Sequence, residues 1–167
     1  MKNLLKVAIA LVLMFTFSKS EAQIKAGVGA VYGTGINNLG LSINGKYQID
    51  ESWSAAPAFT LFLPKTYLNW SILDLDANYQ LPMIETIKGL YAIGGLNLTF
   101  YKIKYNYDFG LFDDGLNNSS TGSDAGINLG VGMNLPISEK FDVVPEFRFT
   151  LGGASFLRLS VNVLFDL

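Results

Sequence analysis

Apolar and polar residues alternate along most of this chain. Leu39, Leu41, Ile43, Tyr47 and Ile49 interleave with Gly40, Ser42, Asn44, Lys46, Gln48 and Asp50. Strict period two over this length predicts a β-strand with two chemically different faces. Ile127, Leu129, Val131, Met133 and Leu135 interleave with Gly126, Asn128, Gly130, Gly132 and Asn134 in the same way. Six further segments share the rhythm: 24–32, 53–63, 67–81, 90–101, 141–151 and 156–167. Within 67–81 the apolar phase is Leu68, Trp70 and Ile72, then Leu73, Leu75, Ala77, Tyr79 and Leu81. A one-residue flip of that kind predicts a β-bulge near Ile72-Leu73. Eight strands are expected, each about as long as the ~9–11 residues of a tilted membrane crossing.

The connections differ at the two ends. Asp50-Glu51-Ser52, Pro82 to Gly89 and Pro136 to Lys140 follow strands two, four and six as compact turns. The segment from Lys102 to Ser123 is long and rich in Asp, Asn, Gly and Ser. Pro57 and Pro145 each remove a ladder donor inside a strand, which a closed barrel tolerates poorly. Both sit in the same spacing, Trp53-Ser-Ala-Ala-Pro57-Ala-Phe59 and Phe141-Asp-Val-Val-Pro145-Glu-Phe147, just after a short turn. A local bulge at one rim is the expected accommodation.

The start of the chain reads differently. Lys2 and Lys6 precede an apolar run from Val7 to Phe17, followed by Ser20-Glu21-Ala22. A positive segment, a short apolar stretch and a small-x-small end predict a secretory signal, residues 1–22, cleaved before Gln23. Eleven apolar residues fall short of the ~20 of a spanning helix. The remainder, 23–167, is expected to form a single domain with nine basic and thirteen acidic residues, a net charge of −4.

Composition then narrows the chemistry. Charged residues are 16% of the 167-residue chain and hydrophobic residues 50%, against ~25% charged in an ordinary soluble domain. An acidic balance does not suit nucleic acid, whose binding needs a basic patch. Cysteine and histidine are both missing from the sequence. That removes disulfides, thiolate and imidazole metal sites, and nucleophiles activated by an imidazole base.

Alternation alone does not say which face meets water, since a soluble lipocalin-like barrel alternates too. The polar face is built of Gly, Ser, Asn and Thr with scattered charges, not of the Lys and Glu of a soluble surface. Small polar residues fit the narrow interior of an eight-stranded barrel. Aromatics on the apolar face gather at strand ends: Tyr47, Trp53, Tyr79, Phe141 and Phe165 near the short turns, Tyr32, Phe100 and Phe149 near the other end. Two such belts are the girdles of a barrel crossing a bilayer. The reading is all-β: an eight-stranded antiparallel up-and-down transmembrane barrel after a cleaved signal.

The export signal, the alternating strands, the segment Glu139-Lys140-Phe141-Asp142-Val143-Val144-Pro145-Glu146-Phe147-Arg148-Phe149 and the apolar last strand carry a resemblance. Together they resemble the porin-like outer membrane protein beta-barrel family, similar in build to small OmpA/OmpX-type barrels. The resemblance covers residues 23–167 and implies an integral outer-membrane location in a Gram-negative envelope. It also implies outer-membrane lipid as the surrounding partner, and the barrel-assembly machinery during insertion. That family often ends in Phe, whereas this chain ends Phe165-Asp166-Leu167. No catalytic residue carries over.

Two groups of residues are candidates for a role. Asp74 and Asp76 share the polar face with Lys46, Glu146, Arg148 and Arg158. Buried charges need partners, so these six are expected to pair inside the barrel and close it to most solutes. In the long loop, Tyr105, Tyr107, Asp108, Phe109, Phe112, Asp113 and Asp114 are expected to offer contacts to other envelope proteins. Asp108, Asp113, Asp114 and Asp124 lack EF-hand spacing, so a solvated acidic loop is preferred over a Ca²⁺ site. No cofactor, metal or nucleic acid is expected.

The function expected from the sequence is structural or binding, without catalysis. The alternatives are a soluble exported barrel carrying an apolar ligand, a narrow outer-membrane pore, and an outer-membrane enzyme acting on lipid or protein.

Overall fold

The computed structural model describes residues 24–65, 68–81, 89–105, 118–153 and 155–167. The expected signal, 1–22, lies outside the described residues. Among the described residues nine strands form in chain order: β1 Ile24–Gly33, β2 Asn38–Gln48, β3 Trp53–Phe62, β4 Leu68–Gln80, β5 Leu90–Tyr105, β6 Asn118–Met133, β7 Leu135–Ser138, β8 Phe141–Gly152 and β9 Phe156–Asp166. Each strand from β1 to β5 pairs antiparallel with the next, β6 pairs with β8, β8 with β9, and β9 with β1. The sheet therefore closes on itself as a barrel of eight strands, with no free edge along the wall.

Period two produces this wall because successive side chains point to opposite faces. Leu41 and Ile43 are each 67% exposed on the outside, while Asp74 and Asn128 on the inside are 0% exposed. That is a soluble barrel turned inside out. Its apolar outer surface cannot be stable in water and suits the hydrocarbon of a bilayer. Aromatic pairs brace the short-turn end of the wall. The rings of Trp53 and Tyr79 lie 4.9 Å apart, and those of Phe141 and Phe165 lie 6.1 Å apart.

Lys25 fastens the closing seam. Its Nζ lies 2.7 Å from Asp142 Oδ2 and 3.0 Å from Asp166 Oδ1, tying β1 to β8 and β9 at the short-turn rim.

The predicted bulge near Ile72-Leu73 does not form. Register runs unbroken through both positions, from Leu61↔Ser71 to Trp53↔Tyr79 on one side and from Leu68↔Ile103 to Gln80↔Tyr91 on the other. The apparent phase flip arises because Trp70 and Ile72 share the inward face with Asp74, Asp76 and Asn78, with Ile72 at 0% exposed. Apolar residues inside a barrel look in sequence like polar positions gone out of step.

The prolines are accommodated without a bulge as well. Asn44↔Ala58 and Tyr47↔Ala55 keep one register, yet the positions between them, opposite Ala56 and Pro57, do not pair. On the other strand, β6 pairs up to Gly132↔Glu146, and β7 resumes the same register at Leu135↔Val143. The β6–β7 break lies opposite Val144 and Pro145, so β7 continues the line of β6 beyond a gap. In both places the missing N–H removes a rung while the strand stays in step. Asn134, in the gap, donates its own backbone N–H to Gly89 O at 2.9 Å. A register shift does occur further along, between Pro136 and Ser138, at the turn into β8.

The long loop is shorter than the sequence suggested. β5 runs to Tyr105 and β6 begins at Asn118, paired with each other to their ends.

Candidate functional site

The inside of the barrel is built in layers, and three strands supply the charges of its central network. β4 places Asp74 and Asp76 on the inward face, β8 places Glu146 and Arg148, and β9 places Arg158. The strands paired beside β9 and β4 carry small inward residues: Gly27 and Gly29 on β1, and Ser54, Ala56, Ala58 and Thr60 on β3. Long side chains from β4, β8 and β9 therefore have room to meet across the interior. Glycine is required where they pass the wall. A Cβ on Gly95 would collide with Asp76, and one on Gly132 with the Tyr91 ring.

The central layer is organised by Asp74. Its carboxylate accepts from Arg158 Nη1 at 2.5 Å and Nη2 at 3.0 Å, from Asn97 Nδ2 at 2.7 Å and from Asn128 Nδ2 at 2.8 Å. Such a forked guanidinium–carboxylate pair is the strong, directional kind. Asn128 joins the two aspartates, because its Nδ2 also donates to Asp76 Oδ1 at 2.8 Å. Its Oδ1 accepts from Arg158 Nη2 at 2.9 Å and from Thr150 Oγ1 at 2.8 Å.

A second layer surrounds Glu146. Tyr91 Oη donates to its Oε1 at 2.8 Å, and Asn162 Nδ2 and Ser160 Oγ donate to its Oε2 at 2.7 and 3.2 Å. Arg148 links the layers, with Nη2 3.0 Å from Glu146 Oε2 and Nε 3.1 Å from Asp76 Oδ2. That last contact is an ion pair without hydrogen-bond alignment, since neither atom finds a bonding partner among the described residues. Low dielectric strengthens each of these contacts, and it would equally penalise any group left alone.

Apolar layers close both sides of the polar one. Toward the long-loop end, Val31, Phe62, Ile72 and Phe156 pack together with Ile36 and Trp70. The Arg158 guanidinium carbon lies 5.6 Å from the Phe156 ring centroid, so the plug rests directly on the charge network. Toward the short-turn end, Tyr91, Ile93, Val144 and Leu164 form a second cluster. Between them, beside Asn78, Lys46 and Arg148, a cavity of about 20 Å³ remains. That is room for about one water molecule.

Five of the six residues singled out by sequence come together. Lys46 stands apart: its Nζ donates to Asn134 Oδ1 at 3.3 Å and sits 5.4 Å from the Tyr91 ring centroid, touching no carboxylate among the described residues. It still brings a third positive charge near three carboxylates and two guanidinia. Sequence reasoning missed Tyr91, Asn97, Asn128, Thr150 and Asn162. Asn128 left a readable signal, as the one large side chain in the inward run Gly126, Asn128, Gly130 and Gly132.

In the loop, Tyr105 ends β5, while Tyr107, Asp108, Phe109, Phe112, Asp113 and Asp114 lie outside the described residues. Among the described residues, no group of three or more acidic side chains is placed to hold a metal ion. Nor is any helix there long and apolar enough to span a membrane, which does not bear on strands.

Comparison with known proteins points one way. The sequence profile of the outer membrane protein beta-barrel domain matches residues 6–161. No curated protein matches the chain. Among solved structures, the N-terminal β-barrel domain of Pseudomonas aeruginosa OprF is similar with a TM-score of 0.59 at 15% identity, over 87% of this chain and 97% of that one. Ail, the attachment invasion locus protein of Yersinia pestis, solved with the heparin analogue sucrose octasulfate, gives 0.55 at 11% identity, over 87% and 97%. Neisserial surface protein A gives 0.52 at 15% identity, over 89% and 98%. At such identities the likeness is one of fold.

Proposed function

Because the chain belongs to the outer membrane protein beta-barrel domain family, we propose that it serves there as a sealed, non-enzymatic barrel with a structural or binding role in the envelope. The observation that carries this reading is the interior itself. Arg158, Asp74, Asn128 and Thr150 fill the central cross-section with mutual hydrogen bonds, and an apolar plug covers them. Eight strands leave an interior just wide enough for side chains, so a filled lumen has no path for solute.

The polar residues act as structure in this account. Asp74, Asp76 and Glu146 each accept hydrogen bonds from side chains of the wall. Residues 1–22 serve as the export signal, and the barrel-assembly machinery and outer-membrane lipid are the partners that this location requires. Contacts with other envelope proteins fall to the loop within 102–123.

The test is a permeation assay on purified protein. Proteoliposomes should swell no faster in small sugars and amino acids than empty liposomes, and the protein should run faster on a gel unboiled than boiled. Swelling rates that fall with solute size would replace the sealed barrel by a pore.

A further inference from the structure

Among the described side chains, the outward face of the wall carries charge at one place. Along the described side chains of the barrel strands, the outward positions are apolar or small and polar, except Lys102 on β5. Lys102 is exposed and pairs with no acid among the described residues. An unpaired charge on the lipid face is unfavourable at depth and tolerated near the interface.

Beside it lies a groove of about 650 Å³. Two neighbouring outward rows define it. The lower row runs Leu41↔Leu61, Leu61↔Ser71 and Ser71↔Phe100 across β2 to β5. The upper row continues with Asn69↔Lys102 and Lys102↔Thr121. Ser71 is small and stands between Leu61 and Phe100, so the wall dips there. The groove is thus apolar at its lower end and polar and cationic at its upper end, on the level of Phe100 and the aromatic belt near the long loops.

We propose that this groove is a docking site for one anionic lipid, its acyl chain lying between Leu61 and Phe100 over Ser71 and its phosphate on Lys102. The amphipathic order of the groove matches the order of a lipid, and the unpaired Lys102 matches an anionic head group in particular. Asn69 and Thr121, on either side of Lys102 in the ladder, supply neutral donors to the same oxygens. A zwitterionic head group would bring its own cation toward Lys102 and lose the advantage.

The experiment is native mass spectrometry of the full barrel released from nanodiscs of phosphatidylcholine doped with phosphatidylglycerol. The unaltered protein should retain one phosphatidylglycerol in preference to phosphatidylcholine, by about fivefold for one lysine near a membrane surface. Lys102→Gln should abolish the preference and Lys102→Arg should keep it. Ser71→Leu should fill the groove and reduce retention of either lipid. All three substitutions lie on the outer face, and heat-modifiable migration verifies folding of each variant. Equal retention of the two lipids by the unaltered protein would overturn the proposal, as would a Gln variant that keeps the preference. Displacement of the bound lipid by glycerol 1-phosphate alone would show a phosphate site without the chain groove. A dimer that Ser71→Leu disperses would make the occupant a second copy, and the lipid assignment would fall.

Discussion

Arg158 and Asp74, 84 residues apart, meet across the barrel through two hydrogen bonds of 2.5 and 3.0 Å. They stand on β9 and β4, strands that share no ladder. The pair therefore braces the barrel across its interior, in addition to the ladders that run around its wall. Asn128, from β6, closes the triangle by bonding to both.

Arg158→Met should lower the unfolding free energy by about 3–5 kcal/mol, the cost of stranding a buried carboxylate. Urea titration with lipid vesicles, followed by tryptophan fluorescence, gives the number. A loss under ~1 kcal/mol would mean that Asp74 is satisfied by Asn97 and Asn128 alone.

Arg148 touches both Asp76 and Glu146, so it should couple to each. Arg148→Met should cost about as much as Arg158→Met, by the same argument from a stranded carboxylate. Glu146→Gln combined with Arg148→Met should cost less than the two single changes added together, because groups in contact do not act independently. Additive losses in the double-mutant cycle would place the 3.0 Å contact outside the stabilising network.

Ile72→Ala removes packing from the plug and should destabilise by about 2–5 kcal/mol. The charge layer beneath is untouched, so the variant should remain closed to ions. Conductance in this variant alone would make the plug the seal and the polar layer incidental.

Pro57→Val and Pro145→Val restore a backbone donor opposite an existing gap. Each should leave stability unchanged or raise it by up to about 1 kcal/mol, the net worth of a hydrogen bond. Failure of either variant to fold would show that the strand needs the proline's fixed φ at that rim.

Most of the wall was legible in the sequence because lipid and lumen impose opposite chemistry on alternate residues. Leu39 to Ile49 and Ile127 to Leu135 read directly as strands facing outward. Two things escaped that logic. Apolar lumen residues such as Ile72, Val144 and Leu164 look like interruptions of the pattern, since period two reports a change of face and not what lies behind it. The partners across the lumen escaped too. Asp74 had three candidate cations on the same face, and the stagger of the closed sheet, which no single strand encodes, brings Arg158 to it and leaves Lys46 beside Asn134. The neutral members of the network, Asn97, Thr150 and Asn162, resemble any polar lumen position until their partners are known.

The central claim is that the lumen is sealed by its own side chains. Single-channel recording of the purified barrel in planar bilayers tests it most directly. The account predicts a baseline without discrete steps in molar potassium chloride at either polarity. Reproducible ohmic steps that scale with salt concentration would contradict it, because ions would then be crossing a section that Asp74, Asn128, Thr150 and Arg158 are held to fill.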